Sequence, residues 1–128
     1  MVFLYLFLER ESYMKKIMIS QPMANKTYVT HELTHIKEYL YSIDKNTVNG
    51  ILNKEKAFDE ISRSVYAKEI LKDALKACNL DYNRGTIGKN ISLYGTYNSS
   101  EAIAEAISNS TSNDLCDKIK ELYKKKWK

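Results

Sequence analysis

The residues of this 128-residue chain whose types and spacing best fit a chemical reaction are His31-Glu32-Leu33-Thr34-His35, which include both of its histidines. Residues four apart lie on the same face of a helix, so the two imidazoles can bind one metal ion. Zn²⁺ is favoured because it binds histidine nitrogens at about 2.0–2.1 Å in a tetrahedral shell. Glu32 would lie beside the ion and act as the general base that takes a proton from a zinc-bound water. The competing interpretation is a surface helix that carries two solvated histidines.

A second pair of candidate residues is Glu101 and Glu105, which are four residues apart and share one face of a predicted helix. That helix starts at Asn98, which stands three residues before Glu101 in the form of a capping box. Three small residues would let a neighbouring helix approach closely: Ala102, Ala104 and Ala106. Like charges at this spacing repel each other mildly, so a cation or histidine on that face would be stabilising. An ordinary exposed acidic face is the alternative.

Taken together, the histidine motif and the segment at residues 94–106 resemble the zincin-like metallopeptidase family. This family includes the zinc peptidase domain of anthrax lethal factor and zincin-like domains of phage head or minor capsid proteins. The shared features are the seven-residue step from Tyr94 to Glu101 and the Ala104-Glu105 pair that follows. The resemblance implies that Glu101 is the third zinc ligand and that the Tyr94 hydroxyl faces the reacting carbonyl. It also implies that Glu105 holds one of the ligating histidines.

The resemblance covers about residues 28–123, and the middle section matches only in its helical character. Thr34 departs from the pattern, because many members carry glycine before the second histidine. We therefore expect a neighbouring backbone to pack differently against Thr34, while all metal ligands are retained. At 128 residues the chain lacks the large recognition domains of lethal factor, so that toxin's substrate choice is not carried over. The implied fold is α+β and mainly helical, a zincin-like domain with a small N-terminal sheet packed on the histidine-bearing helix.

The helix that carries the histidines is predicted over residues 28–43, which contain no proline or glycine. Thr27 or Thr30 is the expected N-cap. Apolar residues at spacings of three and four predict a buried stripe formed by Val29, Leu33, Ile36, Leu40 and Ile43. Because His31 and His35 lie to one side of this stripe, we expect them at the edge of the core, open to a cleft.

The other elements fit a single domain over residues 1–128, since this length supports one core. We expect strands over residues 2–8 and 16–20. The resemblance implies that residues 16–20 are the edge strand beside the metal helix, where an extended substrate could pair. Downstream we expect a long helix over 55–80, a loop over 81–90 broken by Gly85 and Gly88, an extended piece over 91–94 and a last helix over 114–127. The residues expected to face inward are Phe58, Ile61, Val65, Leu71, Ala74, Leu75 and Cys78 in the long helix and Leu115, Ile119, Leu122 and Tyr123 in the last.

Residues 1–13 are expected to be a non-native or peripheral extension, because Met14-Lys15-Lys16 looks like a translation start. The apolar run at 2–8 is too short to span a bilayer and lacks the features of a signal peptide. Cys78 and Cys116 are expected to be buried small residues rather than a disulfide. The predicted location is therefore cytoplasmic or virion-associated.

The net charge of +4 comes largely from lysines at positions 124–128. We interpret them as the solvated end of the last helix, where cations meet the negative end of the helix dipole. A nucleic-acid-binding tail is a weaker alternative, because one short lysine cluster is a small electrostatic footprint. No nucleic-acid or membrane partner is therefore predicted.

The predicted function is zinc-dependent hydrolysis of a peptide or protein substrate, in a protein related to a phage or mobile element. The alternative is a non-catalytic zincin-like module that keeps metal for folding or assists assembly of a phage head. Glu32 separates the two hypotheses, because a structural zinc site would not need it.

Overall fold

The computed structural model describes residues 26–109 and 112–127. This part of the chain forms six α-helices and one hairpin: α1 (Lys26–Lys45), β1 (Thr47–Val48), β2 (Ile51–Leu52), α2 (Lys54–Ser62), α3 (Val65–Ala77), α4 (Arg84–Asn90), a 3₁₀ turn (Tyr94–Thr96), α5 (Ser99–Ser108) and α6 (Asp114–Lys126). The mainly helical α+β class is therefore confirmed. The strands predicted at 2–8 and 16–20, with the N-terminal sheet, lie outside the described residues.

The hydrophobic core lies where α3, α5 and α6 pack together. Its fully buried members include Ile70, Leu71, Ala74 and Leu75 of α3, Ala102, Ile103 and Ala106 of α5, and Leu115, Cys116 and Ile119 of α6. Burying one large apolar side chain stabilises a fold by about 1.5–3 kcal/mol. This packing holds α5 in place, and α1 packs against the other side of α5.

Four helices begin on an asparagine side chain, whose oxygen accepts a backbone N–H three residues later. These N-caps are Asn53, Asn83, Asn98 and Asn113, with distances of 2.8–3.1 Å. Asparagine is among the strongest N-caps because its short side chain satisfies an otherwise unpaired N–H. The predicted helix starts at Asn98 and near Asp114 are thereby confirmed. In the last helix Leu115 and Ile119 are buried, and Leu122 and Tyr123 are half-buried, as expected.

Two predictions for α1 are wrong. Thr27 and Thr30 lie inside the helix, so neither is its N-cap. The apolar stripe is not the buried face, since Leu33 and Leu40 are about half exposed and its other members are only half-buried. The buried residues of α1 are instead polar: His31, Thr34, His35, Glu38 and Ser42. His31, His35 and Glu38 find partners on α5, whereas Ser42 donates to α2 and Thr34 hydrogen-bonds to Tyr123 of α6.

The predicted long helix over 55–80 is also wrong, because the chain breaks into α2 and α3. Ser64, between them, has a left-handed backbone (φ 54°, ψ 36°) that no α-helix accommodates. The break lets α2 lie along α1 while α3 enters the core. As a result Phe58, expected to face inward, is 48% exposed, and Ile61 and Val65 are half-buried.

Residues 84–90 form α4 instead of the predicted loop. The Asn83 cap starts this helix, and neither Gly85 nor Gly88 breaks it. The extended piece expected at 91–94 is wrong as well, because Leu93 is helical (φ −63°, ψ −41°) and leads into the 3₁₀ turn. The Gly95 N–H donates to Ser92 Oγ at 3.0 Å, which tightens this turn.

A two-residue hairpin between α1 and α2 was not predicted. Asn49 and Gly50 both have positive φ (53° and 78°), as a type I′ turn requires, and Val48 pairs with Ile51. The Asn-Gly pair is the sequence signal that could have found it. By reversing the chain, the hairpin brings α2 back against α1, where Ser42 Oγ donates to the Ala57 carbonyl at 3.1 Å.

Both cysteines and the lysine-rich end of α6 are among the described residues. Both cysteines are free; Cys116 is buried and Cys78 is half-buried. In the lysine-rich end of α6, Lys126 pairs with Glu69 at 3.1 Å and with Asp73 at 2.8 Å, which ties the helix end to α3. Among the residues that the structure describes, no helix has the length and apolar character needed to cross a membrane.

Candidate metal centre

The two histidines of α1 converge on one point. Their ring centroids lie 5.0 Å apart at an interplanar angle of 68°, and the two Nε2 atoms are 3.2 Å apart. Both residues are buried, with exposures of 8% for His31 and 5% for His35. Because the Nε2 atoms face each other, an acceptor or cation between them could contact both.

Glu101 of α5 contacts both of these nitrogens. Its Oε2 lies 2.8 Å from His31 Nε2, and its Oε1 lies 3.1 Å from His35 Nε2. Four ligands placed about 2.0–2.1 Å from a tetrahedral zinc ion are separated by about 3.3 Å. The contacts of 2.8 and 3.1 Å involve different oxygens of Glu101, and together with the 3.2 Å between the Nε2 atoms they are at most about 0.5 Å shorter than that spacing. The residues present therefore fit a small tetrahedral cation.

A second feature of α1 is that one ligand atom from each of His31, Glu32 and His35 lies within 4.8 Å of the others. This His-Glu-His group could hold a metal ion. The histidine motif is thus on a helix, and its side chains lie close enough together to hold an ion.

The charges in the cluster favour an ionised Glu101. Burial alone would raise the pKa of its carboxyl, but hydrogen bonds from His31 and His35, together with their charge, lower it to about 2. Burial and the charge of His35 would lower the pKa of His31, but the hydrogen bonds with Glu101 and Glu105 and the charge of Glu101 raise it above its usual 6.5. At neutral pH the carboxylate of Glu101 is available as an anionic ligand.

Glu105 lies on the opposite side of the His31 ring. Its Oε2 is 3.0 Å from His31 Nδ1, so Nε2 remains turned towards Glu101. Ser92 Oγ donates to Glu105 Oε1 at 2.8 Å and accepts the Gly95 N–H at 3.0 Å. One chain of hydrogen bonds therefore connects the 3₁₀ turn to the first histidine.

Tyr94 and Glu32 face the same cleft beside His31. This pocket of about 350 Å³ is lined by Thr27, Tyr28, His31, Glu32, Tyr94 and Glu105. The Tyr94 ring centroid is 5.9 Å from that of His31, and the residue is 58% exposed. The charge of Glu101, then burial and the charges of Glu32 and Glu105, raise the pKa of Tyr94. Its hydroxyl therefore stays protonated and can donate a hydrogen bond.

A second cleft opens on the other side, beside His35 and Glu101. This pocket of about 330 Å³ has an apolar wall that includes Tyr39, Phe58 and Ile61. The half-exposed Phe58 thus lies at a cleft rather than in the core. Space is open on both sides of the histidine pair.

Thr34 stands where many members of the zincin-like family carry glycine, and its hydroxyl makes hydrogen bonds within α1 and to α6. Its Oγ1 donates to the Thr30 carbonyl at 2.8 Å, and it hydrogen-bonds to Tyr123 of α6. The residue is 2% exposed. The Thr34 side chain is therefore enclosed between α1 and α6.

Sequence reasoning missed four residues that lie behind the ligand pair: Glu38, Ser64, Ser92 and Ser100. Glu38 could have been found, because its position three residues after His35 places it on the same helix face. The serines carry no signal in the sequence, since only the fold brings them to the cluster.

Comparisons of the chain with protein-family models, with curated proteins and with solved structures find no match.

Proposed function

We propose that this protein is a zinc-dependent peptidase whose ion is held by His31, His35 and Glu101. The observation that supports it best is the convergence of both Nε2 atoms and the Glu101 carboxylate, with separations of 2.8–3.2 Å. Three protein ligands leave a tetrahedral ion one position for water, which is the arrangement of catalytic rather than structural zinc sites.

Glu101 is the better third ligand, although Glu32 shares a group with both histidines. Glu101 oxygens already lie at hydrogen-bond distance from the two Nε2 atoms. Glu32 instead lines the cleft with Tyr94, where a substrate would enter. A general base needs that position, next to the ligands and accessible to the reacting water.

The charge balance also favours a cation. Three carboxylates, those of Glu38, Glu101 and Glu105, surround the two imidazoles. Three carboxylates thus face only two imidazoles, so groups that can carry negative charge outnumber those that can carry positive charge in a largely buried place. Anions removed from water are unfavourable unless they are paired or bind a metal. A divalent cation would offset part of that charge.

When bound there, zinc would acidify a coordinated water and polarise the peptide carbonyl. Glu32 accepts the proton of the attacking water and then donates it to the leaving amine. The Tyr94 hydroxyl donates to the oxygen that becomes negative during the reaction, a contribution of typically about 3–4 kcal/mol. Glu105 accepts from His31 Nδ1 and so keeps Nε2 available for the ion.

The alternative function, a non-catalytic module that assists assembly of a phage head, would not require Glu32 or Tyr94. Both line one cleft beside His31, which supports catalysis over a purely structural site. The proposed link to phage or mobile elements depends on the motif resemblance alone.

The test is hydrolysis of a fluorogenic peptide library by the zinc-loaded protein. We expect cleavage that Glu32→Gln reduces by at least about 100-fold, the scale of general-base catalysis. Glu55→Gln, an exposed change on α2, is the matched control and should retain full activity. Absence of cleavage, or cleavage that Glu32→Gln leaves intact, would overturn the proposal.

A further inference from the structure

Glu38 is a carboxylate on α1 with 1% of its surface exposed. A buried carboxylate needs hydrogen-bond donors, because it has lost its water. Ser100 Oγ donates to Glu38 Oε2 at 2.8 Å. The other oxygen, Oε1, lies 4.0 Å from Nδ1 of His35. Glu38 thus connects α5 with the second histidine of the motif.

Ser64 extends this connection to the break between α2 and α3. Its Oγ lies 2.9 Å from Ser100 Oγ, and the residue is 7% exposed. Although it stands at the N-cap position of α3, its side chain makes no capping hydrogen bond. Its left-handed φ of 54° is unfavourable for a residue with a Cβ atom and persists only where surrounding contacts determine it. The contact with Ser100 is such a determinant.

The arrangement around His35 repeats the one around His31. His31 Nδ1 meets Glu105, whose other oxygen accepts from Ser92. His35 Nδ1 faces Glu38, whose other oxygen accepts from Ser100. In each case a carboxylate held by a serine stands on the side of the ring that faces away from Glu101.

We propose that Glu38, held by Ser100 and Ser64, is a positioning residue that orients His35 for the metal. The inference rests on the proposed zinc site and adds a residue to it. The distance of 4.0 Å exceeds the roughly 2.7–3.2 Å of a hydrogen bond. Coordination through Nε2 would leave the ring proton on Nδ1, the ring nitrogen of His35 that lies nearest to Glu38 Oε1. Such partners fix the tautomer and the orientation of a ligating imidazole.

The test compares zinc affinities by competition with a chromophoric chelator. Glu38→Leu removes the acceptor, and we expect zinc to bind about 10–100-fold more weakly. Glu38→Gln keeps an acceptor oxygen and should fall between Glu38→Leu and the wild type. Ser100→Ala should weaken binding less than Glu38→Leu. Two matched controls, Ser62→Ala and Glu60→Gln, should leave the zinc affinity unchanged. The Ser62 hydroxyl donates to the Asp59 carbonyl, and the Glu60 carboxylate accepts from Tyr66.

A spectroscopic measurement separates positioning from a merely structural role. Co²⁺ replaces Zn²⁺ and reports ligand geometry through its visible absorption, so Glu38→Leu should shift those bands. A purely structural residue would lower the melting temperature of the metal-free protein and leave affinity and spectrum unchanged; that result would overturn the inference. If Glu38→Leu does not fold, the zinc affinities and Co²⁺ spectra of Ser100→Ala and Glu38→Gln provide the same test.

The two proposals fail differently. A wild-type protein that binds zinc tightly, with Glu38 and Ser100 variants that bind equally tightly, refutes the positioning role alone. A wild-type protein that binds no zinc refutes the metal site, and the positioning role with it.

Discussion

Replacing Gly95 by alanine should disturb the turn that carries Tyr94. A Cβ atom at this buried position would lie 3.3 Å from Ala102 Cα and 3.3 Å from Ser92 Oγ. Ala102 belongs to the backbone of α5 in the core and cannot move easily. Ser92 is held between the Gly95 N–H and Glu105. The turn must therefore shift away from α5 by a few tenths of an ångström.

Overpacking of one methyl group costs about 1–3 kcal/mol. Because both close contacts are only slightly short, we expect the lower half of that range, about 1–2 kcal/mol. For a domain of this size such a loss lowers Tm by roughly 3–8 °C. Displacement of Tyr94 should also reduce peptide hydrolysis, while zinc remains bound because the ligands themselves are on α1 and α5.

Urea unfolding and zinc content measure the two effects on Gly95→Ala. Gly85→Ala is the matched control. Gly85 lies in α4, and the atom nearest to its added Cβ would be Asn83 Oδ1, at a contact distance of 3.4 Å. A helical glycine replaced by alanine usually gains about 0.5–1 kcal/mol, so the control should change stability in the opposite direction. If Gly95→Ala were as stable as Gly85→Ala and fully active, the proposed close contact with α5 would be refuted.

Three further predictions concern the site and the elements that hold it. Glu32→Gln should retain about one zinc per chain by mass spectrometry, since we propose Glu32 as the general base and not as a ligand. Loss of the metal would contradict this assignment. In the metal-free protein, the pKa of Glu101 is about 2 in place of 4.5, so its stabilisation is present above pH 4.5 and lost as the pH falls towards 2. The raised pKa of His31 acts in the opposite direction, since its stabilisation is complete below 6.5 and is lost as the pH rises. Urea unfolding against pH should therefore show an acid loss that Glu101→Gln largely removes; an equal loss in this variant would contradict the pairing. Asn98→Ala should lower the free energy of unfolding by about 1 kcal/mol, because α5 loses its N-cap. Urea unfolding measures this change, and an unchanged free energy would refute the contribution of the N-cap.

Local signals in the sequence predicted the elements that start on a recognisable residue. The helix around His31 and His35 has no breaker, and α5 begins at the predicted Asn98. The spacing of Glu101 and Glu105 placed both on one face, and both contact His31. These predictions succeeded because they depend on neighbours within a turn or two of helix.

The errors arose where distant parts of the chain decide the structure. Ser64 breaks the predicted long helix, and its hydroxyl is held by Ser100, 36 residues later in the chain. The apolar periodicity of α1 indicated the wrong buried face, because the polar face finds partners on α5. Gly85 and Gly88 indicated a loop over residues 81–90, but the Asn83 side chain caps a helix that includes both glycines.

The most direct test of the metal centre is the metal content of the purified wild-type protein and of Glu101→Gln, measured by mass spectrometry after zinc loading. We expect about one zinc per wild-type chain and a sharp loss in Glu101→Gln, because the ion would keep only two of the three proposed protein ligands. A wild-type chain without zinc, or a Glu101→Gln variant that holds it as well as the wild type, would contradict the proposed ligand set.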